Sequence, residues 1–207
     1  MDESSGKMSA EVGFWEVVGK RGSIRRYTEQ EVAQKLIEHI LGAALRAPSA
    51  HNSQPWRFIV LTSPEKKYAL ARAMAAKLAR DLREEGMPFP QRLRKLRRSL
   101  KLFSQAPVII IPFLMGSNVR KDRNEEQERV MAVQSVALAV GQLLLAAAAE
   151  GLGSCWYAAP LFCPEVIRQQ LELTEDWEPQ ALITMGYPNE SPADKKKKKL
   201  EDVCVIE

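Results

Sequence analysis

Two short segments carry the residue types that could do chemistry. Arg21, Gly22, Ser23, Ile24, Arg25, Arg26 and Tyr27 gather three guanidiniums, a hydroxyl and a glycine. Guanidiniums meet phosphate oxygens as two-pronged, charge-assisted donors. The Gly22-Ser23 pair permits close backbone approach and adds a hydroxyl. Further on, Ala47, Pro48, Ser49, Ala50, His51, Asn52, Ser53, Gln54, Pro55, Trp56, Arg57 and Phe58 form a polar, amide-rich loop running into an apolar strand. Its neutral donors and acceptors suit a polyhydroxyl chain or a heterocycle edge. A phosphate grip followed by such a loop points to a phosphorylated cofactor and leaves open which. Each segment also has a plainer reading, as a solvated basic turn and as an ordinary helix-to-strand connection.

Other patterns exclude more than they assign. His51 and His39 find no acid and nucleophile with which to build a triad. Gly151, Leu152 and Gly153 follow a helix and precede a strand, the reverse of a dinucleotide fingerprint, so they read as a helix terminator. Cys155, Cys163 and Cys204 lack zinc spacing, and one is left over in any disulfide scheme. A reducing, cytoplasmic setting is expected, with Cys155 a small core residue. The net charge of +4 does not indicate a nucleic-acid-binding field. Residues 195–199 are five consecutive lysines: a solvated tail, or a source of one or two phosphate-facing cations.

The elements that must position these residues follow from periodicity. The 207 residues, 45% hydrophobic and 27% charged, fit a single domain. Residues 1–10 are expected to be a flexible N-terminus and 189–207 a tail. An amphipathic helix over 11–18 ends at Gly19 and puts the arginines on the loop after it. Thr28 with Glu31 forms a capping-box pattern for a second helix, which Pro48 closes. Strands are expected at 56–61, 107–113, 154–157 and 180–187. Helices are expected over 66–84, after a start signal at Ser63, Pro64 and Glu65, up to about Ser104 after the break at Gly86, and over 164–171. Residues 130–149 are nearly all small or apolar and long enough for a bilayer. Gln134, Ser135 and Gln142 interrupt them, and acids at 125, 126 and 128 lead in, so a central helix buried all round in the fold or in a dimer interface is expected, and no membrane span. Helices with a few short strands between them imply an α+β three-layer fold.

Together, residues 21–27, residues 47–56 and the run Gly151, Leu152, Gly153, Ser154, Cys155, Trp156 resemble the flavin-dependent nitroreductase family, in its order and over almost the whole chain. Residues 77–91 and 176–179 look like the nitroreductase-type domain fused to the glutamyl ligase of deazaflavin-coenzyme biosynthesis, without the ligase portion. The resemblance implies an α-β-α sandwich and a homodimer, formed largely through the helix over 125–150, with FMN at the subunit interface. Arg21, Gly22, Ser23 and Arg25 would hold the FMN phosphate and ribityl chain. Pro48, Ser49 and Asn52 would approach from the partner, with Gln54 nearby. Asp81 would reach the ring's polar edge, and residues from Trp156 to Ala158 would lie along its face. Lys195 or Lys197 would face the phosphate.

The implied activity is ping-pong transfer of two electrons from NADH or NADPH to a small organic acceptor. The alternatives are a deazaflavin-precursor reductase or other specialised flavin reductase, with the basic stretch 92–101 as an anionic-substrate lid, and a non-catalytic flavin- or nucleic-acid-binding protein.

Overall fold

Residues 108–115 set the plan around which everything else packs. The computed structural model describes residues 13–119, 124–193 and 196–207. Strand β2 (Val108–Met115) is buried at every position. A strand apolar on both sides needs cover on both faces. Val108 and Ile110 pack with Ile37, Ile40, Val140 and Leu143, whereas Ile109, Ile111 and Phe113 pack with Leu70, Met74, Phe103 and Ile167. One face therefore belongs to α2 (Gln34–Ala44) and α5 (Glu125–Ala149), the other to α3 (Pro64–Glu84), α4 (Phe89–Ser104) and α6 (Pro164–Gln170). Helix α1 (Phe14–Lys20) rests on α5. This is the expected three-layer α+β arrangement. The expected flexible stretch 1–10 lies outside the described residues.

The sheet is antiparallel throughout, with β1 (Trp56–Leu61), β2, β5 (Leu182–Gly186) and β3 (Gly153–Tyr157) in that order. A short strand absent from the sequence reading, β4 (Trp177–Pro179), also pairs with β2. Pro112 explains the split. A proline withdraws one ladder donor from a central strand, and at that point the facing chain breaks. β4 pairs with 113–115, β5 pairs with 108–110, and between them the Gln180 N–H donates to the Pro112 carbonyl at 2.9 Å.

Helix α5 is buried on one face rather than all round. Ala132, Val136, Ala139, Val140, Leu143 and Ala147 enter the core, while Val130 and Leu138 stay about half exposed. Helix α3 starts as its sequence signals: the Ser63 hydroxyl accepts from the Lys66 N–H at 3.2 Å, and Pro64 occupies the first turn.

The capping box at Thr28 does not form. Helix α2 starts at Gln34, behind Ala33, with no side-chain cap. The Thr28 N–H donates instead to the Tyr187 carbonyl at 2.9 Å, and Tyr27 bridges to Pro188. Tertiary pairing satisfies the donor that a helix start would have left free, so the chain stays extended here. The Tyr27 hydroxyl anchors this strap, 2.7 Å from Thr184 Oγ1 and donating to the Ile24 carbonyl at 2.6 Å.

Burial raises the Tyr27 phenol well above its usual range. The folded protein thus holds that proton more tightly than the unfolded chain does. Stability from this site is complete below the unfolded tyrosine value of about 10 and falls as pH rises above it. Tyr27→Phe is expected to cost about 1–2 kcal/mol at neutral pH and to shallow the alkaline fall, both read from urea melts across pH.

Candidate functional site

The arginine segment begins where α1 stops: Arg21 caps the helix, its N–H donating to the Val17 carbonyl at 2.8 Å. The chain then lies along β3, with the Ile24 N–H donating to the Ser154 carbonyl at 2.9 Å. Gly151 ends α5 at φ +75°, a conformation glycine adopts without penalty. Gly153 serves close approach, since a Cβ there would sit 2.6 Å from Ile24 Cγ2. Gly153→Ala should push the segment off β3 and destabilise the fold by about 1–3 kcal/mol. An unshifted thermal midpoint would show that this contact is not tight.

Glu190 fixes the segment from the far end of the chain. Its carboxylate accepts from the Arg25 N–H at 2.6 Å, the Arg26 N–H at 3.1 Å and Arg26 Nε at 2.8 Å. The Arg25 N–H, followed by the Arg26 contacts, holds this carboxyl below its ordinary range. Two consequences follow. Arg26 is committed to Glu190, and the backbone donors of residues 25 and 26 are taken. The Arg21 and Arg25 guanidiniums form no ion pair among the described residues. Pro192 lies over Gly22, where a Cβ would meet its ring at 2.3 Å, so residues 189–192 are fastened to the segment rather than trailing from it.

The amide loop docks on α5. The Ala50 N–H donates to Ser135 Oγ at 3.2 Å, and His51 Nε2 lies 3.4 Å from Glu128 Oε1. Ser49 Oγ accepts from the Gln54 N–H at 3.0 Å, and Gln54 Nε2 donates to Asn52 Oδ1 at 3.3 Å. His51, Asn52 and Gln54 have φ of 54°, 52° and 45°. Such conformations cost about 1–3 kcal/mol each and persist where surrounding contacts over-determine them. Pro48 and Ser49 lead into this turn. The bound ends of its amides leave the Asn52 and Gln54 side chains at the surface.

Helix α5 is the platform for both segments. Arg21 joins Gln134, Leu138, Gly141, Gln142 and Leu145 around an apolar groove of about 770 Å³. Gln142 lines this groove, while its Oε1 is buried with no hydrogen-bond partner. Among the described residues, no hydrogen bond joins residues 21–27 to residues 48–54. Each wall is built separately on α5, which fits walls that meet across two subunits.

The remaining expected residues are dispersed. Trp156, on β3, is 38% exposed, and Ala158 starts the turn that follows. Asp81 pairs with Lys77 on α3 and, with that lysine, acts on Cys163 rather than on the arginines. Burial pushes the Cys163 thiol up to about 11, which makes it inert. Lys197 is exposed, and Lys195 lies outside the described residues. Burial also raises the Tyr157 phenol. Glu190 escaped the sequence reading, and Gln142, Ser135 and Glu128 entered it only as features of the long helix. Nothing local marks them, since Glu190 meets Arg25 across 165 positions.

Comparison with known proteins agrees with this geometry. The family model described as the nitroreductase family matches residues 18–187. A Thermus thermophilus protein called NADH dehydrogenase is 34% identical over 185 residues, 83% of this chain and 84% of that one. Mouse iodotyrosine deiodinase 1 is 27% identical, over 93% of this chain and 68% of its own. Among solved structures, a Desulfovibrio desulfuricans protein described as a nitroreductase in complex with FMN superposes with a TM-score of 0.74. It shares 25% identity, covering 96% of this chain and 98% of that one. A Lactococcus lactis nitroreductase solved with nicotinic acid shares the fold, with a TM-score of 0.79, 20% identity and coverage of 94% and 100%.

Proposed function

The chain belongs to the nitroreductase family, and from that premise we propose that it is an FMN-dependent oxidoreductase carrying electrons from NADH or NADPH to a small organic acceptor. One observation carries the cofactor assignment. Arg21 and Arg25 have no carboxylate partner among the described residues, whereas Arg26 is held by Glu190. A phosphate answers two unpaired guanidiniums on one short segment, so the residues fit FMN.

In this reading Arg21, Ser23 and Arg25 take the phosphate and ribityl chain, and Gly22 keeps the backbone close. Lys197, or Lys195 two positions before it in sequence, adds a cation. Pro48, Ser49, Asn52 and Gln54 come from the partner of a homodimer. Trp156 and Ala158 flank the ring. No contact is assigned to Asp81, whose carboxylate is taken by Lys77. When bound, FMN would supply the two-electron chemistry of a ping-pong cycle, accepting hydride from the nicotinamide and delivering it to the acceptor. The protein binds, orients and polarises, and no side chain is given an acid–base role. The deazaflavin-type reading gains nothing from its own residues. Asp176 holds Ser117, and Glu178 pairs with Arg129, both within the fold.

Absorbance of the purified protein tests the proposal. It should show flavin bands that bleach anaerobically with NADH or NADPH and return when an acceptor is added. Protein that neither purifies with flavin nor takes up added FMN sinks the cofactor assignment. Bound flavin that no nicotinamide bleaches would leave a binder in place of an enzyme.

A further inference from the structure

The amide loop takes its shape from one helix. Its ends are clamped by apolar packing, since Ala47 and Trp56 are buried with Ala132, Val136 and Ala139 of α5. Between those ends the backbone turns left-handed at His51, Asn52 and Gln54, a conformation that residues bearing a side chain populate sparsely. Hydrogen bonds within the loop hold part of the turn. The Asn52 N–H donates to the Ser49 carbonyl and the Ser53 N–H to the Ala50 carbonyl, both at 3.0 Å. Bonds of such short span tighten a turn without fixing where it points.

Direction comes from two polar groups on α5. Ser135 Oγ accepts from the Ala50 N–H at 3.2 Å, and Glu128 Oε1 lies 3.4 Å from His51 Nε2. The two are seven residues apart, so they stand on one face of the helix, about 10 Å from each other along its axis. Ser135 is 3% exposed, set among the apolar residues that α5 turns inward. A helical serine commonly satisfies itself on the carbonyl one turn back, and Ser135 does so, donating to the Met131 carbonyl at 2.7 Å. That bond spends its one proton. The oxygen keeps lone pairs that can only accept, and the Ala50 N–H fills that place. Among the described residues, this N–H makes no other hydrogen bond.

We propose that Ser135 is a positioning residue for the flavin site, aiming the amide loop from within α5, with Glu128 as a second hold. This rests on the reading of the loop as one wall of an FMN site. Asn52 and Gln54, whose side chains reach the surface, are the groups that the hold presents in advance. A loop already set in its bound shape binds more tightly, because less order has to be imposed on it. Without the Ser135 oxygen the Ala50 N–H loses its partner, and the left-handed turns lose a contact that keeps them from relaxing. The ends stay clamped, so the change is local: the subunit remains folded and the wall loosens.

The test compares Ser135→Ala with Val140→Ala in the full-length protein. Val140 is fully buried on the same helix, in the separate cluster that includes α2. Its truncation lowers stability without touching the loop. Hydrogen exchange on flavin-free protein gives the first readout. In Ser135→Ala the amides of Asn52, Ser53 and Gln54 should exchange about tenfold faster, while those of β2 stay protected. Val140→Ala should leave the loop amides at their wild-type rates. Calorimetry with FMN gives the second readout, and Ser135→Ala should bind it about tenfold more weakly. Glu128→Ala should move both readouts the same way by a smaller factor, since its pair with His51 is partly exposed.

Faster exchange at Ala50 alone would show a loop that supports itself, and would overturn the proposal. So would a loosened loop with unchanged FMN affinity, or loop amides that Val140→Ala speeds equally. The exchange measurement does not depend on flavin. Wild-type protein that takes up no FMN would sink the enzyme reading and this proposal with it, whereas an unmoved loop in Ser135→Ala would sink this proposal alone.

Discussion

Replacing both Arg21 and Arg25 with alanine should give a folded protein that purifies without colour. The two side chains have little to do with holding the fold. Arg25 makes one long hydrogen bond, from Nη1 to the Ser23 carbonyl at 3.5 Å, and the Glu190 contact uses its backbone N–H, which alanine keeps. Toward a phosphate each guanidinium is a charge-assisted donor, worth about 1.5–3 kcal/mol. Losing both should therefore weaken FMN by about 100- to 10,000-fold. Arg26→Ala is the contrast. It breaks an ion pair with Glu190 yet removes no group from the proposed grip, so it should keep its flavin. Circular dichroism, a thermal melt and the ratio of flavin to protein absorbance separate the cases. A yellow double variant with one flavin per chain would refute the grip, and a colourless Arg26→Ala would place it on the wrong arginine.

How much of this was legible depended on whether the controlling contact was local. The strand expected at 107–113 and found at 108–115 was readable because an unbroken apolar run suited to burial on both faces leaves few other options. The start of α3 was readable because Ser63 and Pro64 act on their immediate neighbours. Thr28 and Glu31 misled for the same reason. Their pattern is a local signal, and the Tyr187 carbonyl that overrides it arrives from far along the chain. Strand β4 was missed because three residues carry no periodicity, and its existence is a response to Pro112 on a different strand. At the site, residue types were visible and their pairing was not. Nothing within 21–27 shows that Arg26 is neutralised by Glu190 while Arg21 and Arg25 are left for a ligand. That division is what the proposed two-arginine grip rests on.

The second large effect lies on α5. Its outer face leaves Leu138 52% exposed beside Ala137, Gly141 and Leu145 in the apolar groove, and α1, which rests on it, adds Phe14, Trp15 and Val18. Apolar surface gathered on one side in this way marks an interface, and the proposed interface is a second copy of the chain. Leu138→Asp should bury a charge there with no partner, at a cost that breaks association, while leaving the monomer core intact. Leu143, one and a half turns away, is fully buried, so Leu143→Ala should instead lower the stability of each subunit by about 2–5 kcal/mol. Sedimentation and flavin content, read together, decide between the possible outcomes. Since the arginine wall and the amide-loop wall make no hydrogen bond with each other within one chain, a monomeric Leu138→Asp should lose FMN even though every proposed ligand to it is unaltered. A monomer that keeps stoichiometric flavin would show that one chain completes the site, and a variant that stays dimeric would move the interface off α5. Loss of flavin on dissociation, with the fold preserved, is what two half-sites on one helix require.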